Sequence, residues 1–128
     1  MKPILVIDDS PTMLMSISRI LTKVGFTVET SANGQLAIDK IKGGFSPAII
    51  LTDLNMPVLD GFGFIKQARQ LPATRFTPIV VLTTESATQK KDTARAAGAT
   101  GWLTKPADPQ ELLALLKQLL PDQLLPAA

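Results

Sequence analysis

Three stretches of the chain are continuously apolar and rich in branched residues: Ile4-Leu5-Val6-Ile7, Ala48-Ile49-Ile50-Leu51 and Ile79-Val80-Val81-Leu82. Short runs without alternation predict strands buried on both faces, as in the middle of a parallel sheet. Phe26-Thr27-Val28-Glu29-Thr30 alternates instead, and Gly101-Trp102-Leu103-Thr104 is brief and less apolar, which puts both at the sheet periphery. Five strands are therefore expected.

Between them the apolar period changes to that of a helix. Met13, Leu14, Ile17, Ile20, Leu21 and Val24 share one face of a first helix, with Gly25 as its stop. A second runs from about Asn33 through Leu36, Ala37, Ile38 and Ile41 to Gly43-Gly44, and a third from about Asp60 through Phe64, Ile65 and Ala68. The fourth is expected to open on a capping box, Ser86 with Gln89, and offers the core only Ala87, Ala94, Ala96 and Ala97, so it should be weakly anchored. The fifth has Asp108 as N-cap, Pro109 at the first position and Glu111 completing the box. Leu112, Leu113, Leu116, Leu119 and Leu120 form its apolar face. Strict alternation of strand and helix with right-handed crossovers gives an α/β fold, a doubly wound five-stranded parallel sheet with helices on both faces. One domain over residues 1–120 with a short tail at 121–128 accounts for the 128 residues.

Composition narrows the chemistry. There is no cysteine and no histidine, which excludes disulfides, thiolate catalysis, zinc fingers and the commonest general base. Oxygen ligands remain, and these suit a hard cation such as magnesium or calcium. A net charge of +2 with scattered basic residues gives nucleic-acid binding little support, and no apolar run approaches a membrane span. The N-terminal residues lead straight into a strand pattern rather than a signal core, so a soluble cytoplasmic protein is expected.

In open α/β sheets ligands bind in the crevice at the carboxyl ends of the strands. Here Asp8 and Asp9 end the first strand, Asp53 the third and Thr83 the fourth, and Lys105 follows the fifth. Taken singly, each has an ordinary explanation as a helix cap, a turn residue or a solvated charge. Together they crowd three carboxylates into one crevice, where only a cation or protonation relieves the repulsion. Magnesium, which takes about six oxygens and commonly keeps waters and a phosphate among them, is the natural counter-ion. A carboxylate beside such an ion can act as a nucleophile toward phosphorus, and Asp53 is the candidate. Lys105 would bind one phosphoryl oxygen and the Thr83 hydroxyl another.

The segments Val6-Ile7-Asp8-Asp9-Ser10, Leu51-Thr52-Asp53-Leu54-Asn55-Met56-Pro57-Val58-Leu59-Asp60-Gly61, Leu82-Thr83-Thr84-Glu85 and Gly101-Trp102-Leu103-Thr104-Lys105-Pro106 resemble the receiver domains of bacterial response regulators, most closely the chemotaxis type. The resemblance covers about residues 3–120. It implies a flavodoxin-like strand order 2-1-3-4-5. It also implies phosphorylation of Asp53, metal ligation by Asp8, Asp9, Asp53 and the backbone carbonyl of Asn55, and a cis Lys105-Pro106 bond. Asn55 and Glu85 fall at the two variable positions that tune phosphoryl lifetime and phosphatase access. Trp102 stands at the switch aromatic, usually tyrosine or phenylalanine, and packing on the sheet edge is an equally good account of it. Ala107, where an aromatic residue is usual, Leu14, where chemotaxis members often carry arginine, and Thr84, larger than the common alanine or glycine, depart from the pattern.

The implied function is that of a two-component response regulator. It takes a phosphoryl group from a sensor histidine kinase, with Mg2+ bound, and docks through the fourth helix, fifth strand and fifth helix on an output protein such as a motor switch component. A phosphatase is a possible further partner. The alternatives weighed are an intermediate of a phosphorelay and an aspartate-dependent phosphatase. The phosphatase would place its two carboxylates two residues apart on the first strand, whereas Asp8 and Asp9 are adjacent. A flavin carrier is disfavoured because that acidic pair would repel the flavin phosphate. A receiver that has lost its chemistry would not need Thr83 and Lys105 beside the acidic set.

Overall fold

A computed structural model describes residues 2–120. The elements run β1 (Ile4–Ile7), α1 (Pro11–Lys23), β2 (Val28–Ser31), α2 (Gly34–Lys42), β3 (Ile49–Thr52), α3 (Gly61–Gln70), β4 (Ile79–Thr83), α4 (Thr88–Ala97), β5 (Gly101–Thr104) and α5 (Pro109–Leu119). All neighbouring strands pair in parallel, in the order β2-β1-β3-β4-β5, so the two peripheral strands are the sheet edges. The expected tail at 121–128 lies outside the described residues.

The continuous apolar runs are needed because each central strand feeds two cores. Leu5, Ile7, Ile50, Ile79 and Val81 point to α2, α3 and α4, where they meet Ile38, Phe64, Ile65 and Ala94. Ile4, Val6, Ile49, Leu51, Val80 and Leu82 point the other way, to Ile17 and Leu21 of α1 and Leu112 and Leu116 of α5. Such double burial is the usual environment of a parallel sheet.

The termini of the helices agree only in part with the sequence reading. Ser10, Asn33, Asp60 and Asp108 cap α1, α2, α3 and α5, each side chain accepting from an amide in the first turn. At α5 the Asp108 carboxylate accepts from Gln110, so the cap does not use the predicted box with Glu111. Gly25 follows α1 with φ 101°, a left-handed stop. The capping box expected at Ser86 and Gln89 does not form: α4 starts later, with Ala87 as its N-cap and no side-chain cap. Ala94 is its one buried residue, fewer than the alanine pattern suggested. Leu36, placed on the inner face of α2 by its period, is half exposed, because Ala37, Ile38 and Ile41 already fill that face.

Arg69, on the last turn of α3, reaches the carbonyls of Thr74, Thr77 and Gly98. It thereby fixes the turn between α4 and β5 against the connection that leads into β4. Burial draws its pKa below the ordinary arginine value.

Val58, in the loop after β3, has φ 71° and is 81% exposed. A β-branched side chain in the left-handed region costs roughly 1–2 kcal/mol, and this one has little packing to compensate. Val58→Asn, which tolerates that region, is expected to raise the unfolding free energy by about 1 kcal/mol. The measurement is a higher urea midpoint with an unchanged slope.

Candidate functional site

The site is assembled by strand ends and by local backbone turns. Asp8 directly follows β1, and its Oδ1 accepts the amide of Ser10 at 2.9 Å. Because the Ser10 hydroxyl caps α1, the Asp9 carboxylate is not used as a cap and stands exposed at the crevice. Asp53 follows β3, whose register sets Thr52 beside Ile7, and the Asp53 amide donates to the Ile7 carbonyl at 3.0 Å. Carboxylate oxygens of Asp8, Asp9 and Asp53 consequently lie within 4.8 Å of one another.

Lys105, just beyond β5, completes the cluster. Its ammonium donates to Asp8 Oδ2 at 2.5 Å and to Asp53 Oδ2 at 3.1 Å, and all three side chains are largely buried. Its backbone amide donates to the Thr83 carbonyl at 2.7 Å, which ties the exit of β5 to the end of β4, and the Lys105-Pro106 bond is cis. Burial alone would lower the Lys105 pKa, but the hydrogen bonds and charges of Asp8 and Asp53 hold it above the ordinary lysine value. Sign and size of charge follow directly: three carboxylates against one ammonium leave two negative charges. Hard oxygen donors and that residual charge fit a divalent cation of the magnesium or calcium type.

Asp53 has its second oxygen fixed as well. Oδ1 accepts the Leu54 amide at 2.7 Å, and the hydroxyl of buried Thr52 donates to the Asp53 carbonyl at 2.9 Å. Gly61 packs so close that a Cβ there would sit 2.4 Å from that carbonyl and 2.8 Å from Leu54 Cα. Its amide also donates to the Leu54 carbonyl at 2.8 Å. Thr52 and Gly61 thus set the backbone that carries Asp53. The sequence reading missed both roles, although a hydroxyl preceding a strand-end aspartate and a glycine opening α3 were the available signals.

The other predicted residues divide into near and far. Thr83 is fully buried at the end of β4, with its hydroxyl accepting from the Glu85 amide at 3.4 Å. Asn55 is exposed in the loop after β3. Trp102 lies away from the acidic cluster, on edge strand β5, partly buried against the core formed with α2, α3 and α4. Its ring lies below Lys91, whose Nζ is 5.9 Å from the centroid. A cavity of about 70 Å³ beside it is lined by Lys91, Ala94, Arg95, Ala99 and Thr100. The indole N–H is buried without a hydrogen-bond partner among the described residues.

Residues 4–117 match a family described as response regulator receiver domain. The transcriptional regulatory protein TcrA of Mycobacterium tuberculosis is 36% identical over 116 residues, 91% of this chain, which spans only 45% of that protein. The solved structure of the Vibrio cholerae chemotaxis protein CheY4 superposes with a TM-score of 0.88 at 42% identity, covering 94% of this chain and 99% of that one. The receiver domain of a sensor histidine kinase from Pseudomonas aeruginosa superposes with a TM-score of 0.85 at 28% identity, covering 92% and 96%. That structure has a magnesium ion coordinated in its active site cleft. Among the described residues no helix is long and apolar enough to cross a membrane.

Proposed function

This chain belongs to the response regulator receiver domain family, and from that premise we propose that Asp53 is its phosphoacceptor and that Asp8, Asp9, Asp53 and the Asn55 carbonyl hold Mg2+. The observation that carries the reading is the Lys105 ammonium bridging Asp8 and Asp53 beside a third carboxylate. That arrangement supplies a nucleophile together with a cation able to follow the charge as it moves onto a phosphoryl group.

A sensor histidine kinase is the donor. One Asp53 oxygen forms the new O–P bond as the P–N bond of phosphohistidine breaks, and the electron pair leaves with the imidazole nitrogen. A divalent cation held by Asp8, Asp9, Asp53 and the Asn55 carbonyl would supply the charge that neutralises the phosphoryl oxygens. Lys105 transfers its hydrogen bond from Asp53 Oδ2 to one of those oxygens, and the Thr83 hydroxyl turns to donate to another. Attack by water on phosphorus later breaks the Asp53 O–P bond, releasing inorganic phosphate and restoring the carboxylate, with Glu85 and Asn55 flanking the approach.

Output follows from the weak anchoring of α4 and from the indole N–H of Trp102, which has no partner among the described residues. As Thr83 turns toward Asp53, space opens into which Trp102 can rotate, and the surface of α4, β5 and α5 changes for a docking partner. Likeness to a chemotaxis protein favours a motor switch component as that partner. The direct test is intact-mass spectrometry after treatment with a small-molecule phosphodonor. One added phosphoryl group is expected with magnesium and little or none after chelation; equal labelling in both would defeat the metal assignment.

Asp9→Asn removes a ligand and a charge but leaves the nucleophile. Magnesium titrations followed by NMR shifts or tryptophan fluorescence are expected to show affinity reduced on the order of tenfold or more. Unchanged affinity would remove Asp9 from the ligand set.

A further inference from the structure

The fourth helix lacks a conventional start. Its N-cap is alanine, it buries a single side chain, and its first-turn amides receive no side-chain cap. What holds its beginning is Glu85, two residues ahead of that cap. Glu85 Oε1 accepts the Ala87 amide at 3.1 Å, and Oε2 pairs with the Lys90 ammonium at 3.2 Å. The glutamate pKa lies below its ordinary value, chiefly through the Ala87 amide and then through Lys90, so both contacts favour the charged form. A carboxylate there also complements the positive end of the helix dipole.

The same residue touches the site from its other side, because its backbone amide donates to the Thr83 hydroxyl. At 3.4 Å that bond is long, and the hydroxyl oxygen cannot keep it once it turns away. We propose that Glu85 is a positioning residue: its carboxylate staples the first turn of α4 while Thr83 accepts its amide, and the staple opens when the Thr83 hydroxyl is drawn to a phosphoryl group. The inference rests on the reading of Asp53 and Thr83 given above. It adds a route by which a movement of one hydroxyl reaches α4 through three consecutive backbone units, independently of Trp102.

Amide hydrogen exchange on the full chain tests it, with Glu85→Ala and Lys90→Ala compared with wild type, each free and with magnesium beryllofluoride. In the free protein Glu85→Ala is expected to speed exchange at Ala87, Lys90 and Lys91 about fivefold, the loss of one helix cap. Lys90→Ala, which keeps the Ala87 contact, should show a smaller effect of about twofold. Beryllofluoride should speed the same amides in wild type and add nothing further in Glu85→Ala. A merely structural role would leave that increment equal in both proteins and would overturn the proposal, as would unchanged exchange in free Glu85→Ala. If beryllofluoride shifts the amides around Asp53 in wild type but leaves 87–91 untouched, the coupling alone is wrong. If it shifts neither set, the phosphoacceptor reading fails and the coupling with it.

Discussion

Asp53→Asn is expected to lose all of the mass gained from a phosphodonor, while the folded spectrum persists. The amide is nearly isosteric and its oxygen can still accept the Leu54 amide, so the loop after β3 keeps its anchor. Lys105 retains Asp8 as an ion-pair partner, so no buried cation is abandoned. What disappears is the nucleophile: a neutral carboxamide does not form the acyl phosphate. Asp9→Asn provides the contrast, since it weakens magnesium but leaves Asp53 in place and should be labelled more slowly rather than not at all. Measuring both variants by intact mass separates the loss of the acceptor from the loss of the metal. Labelling of Asp53→Asn to the wild-type extent would move the acceptor to another residue.

Much of this site was legible because the rule that generates it is topological. Once three apolar runs are recognised as central parallel strands, their carboxyl ends must share an edge, and Asp8, Asp9, Asp53 and Thr83 occupy those ends. The position of Lys105 follows from β5 pairing with β4. Side-chain geometry was not legible in the same way. Nothing in the spacing says that the ammonium would choose both Asp8 and Asp53, because that depends on distances between elements 97 and 52 residues apart in sequence.

The local misses have physical reasons too. Phe26 and Thr27 continue the alternation of β2, but the ladder begins at Val28, opposite Ile4, while Phe26 turns into the core beside α1 and α5. Ser86 and Gln89 have the spacing of a capping box, yet the Glu85 carboxylate reaches the Ala87 amide, and the helix begins one residue later than that box requires. In the first case a local pattern yields to a tertiary contact, and in the second to a competing local one. Edge strand and weakly buried helix are where such contests are close, since neither has enough apolar burial to enforce the pattern.

Lys105→Ala should have the larger thermodynamic effect of the two replacements argued here, and its size should depend on magnesium. Without metal, the variant leaves Asp8 and Asp53 facing Asp9 with no counter-charge, and removing one partner from a buried ionic cluster costs about 3–5 kcal/mol. The expected result is a much lower denaturation midpoint in the presence of chelator. Added magnesium supplies the missing charge and stabilises the folded state in proportion to the logarithm of its concentration, so most of the loss should be recovered. Wild type should respond less, because its ammonium already neutralises part of the cluster and competes for the same oxygens. Ordinary pH changes cannot imitate the substitution. The Lys105 pKa is raised in the folded protein, so its contribution is complete below the unfolded lysine value, near about 10.4, and is lost only as pH rises through the still higher folded value. Phosphodonor treatment then separates stability from signalling. Magnesium-rescued Lys105→Ala should bind the metal and still offer Asp53 as an acceptor, yet the hydrogen exchange of α4 should no longer respond fully, because the cation that follows the charge from carboxylate to phosphoryl oxygen is gone. A variant whose stability ignores magnesium would show that Lys105 and the metal do not answer to the same carboxylates.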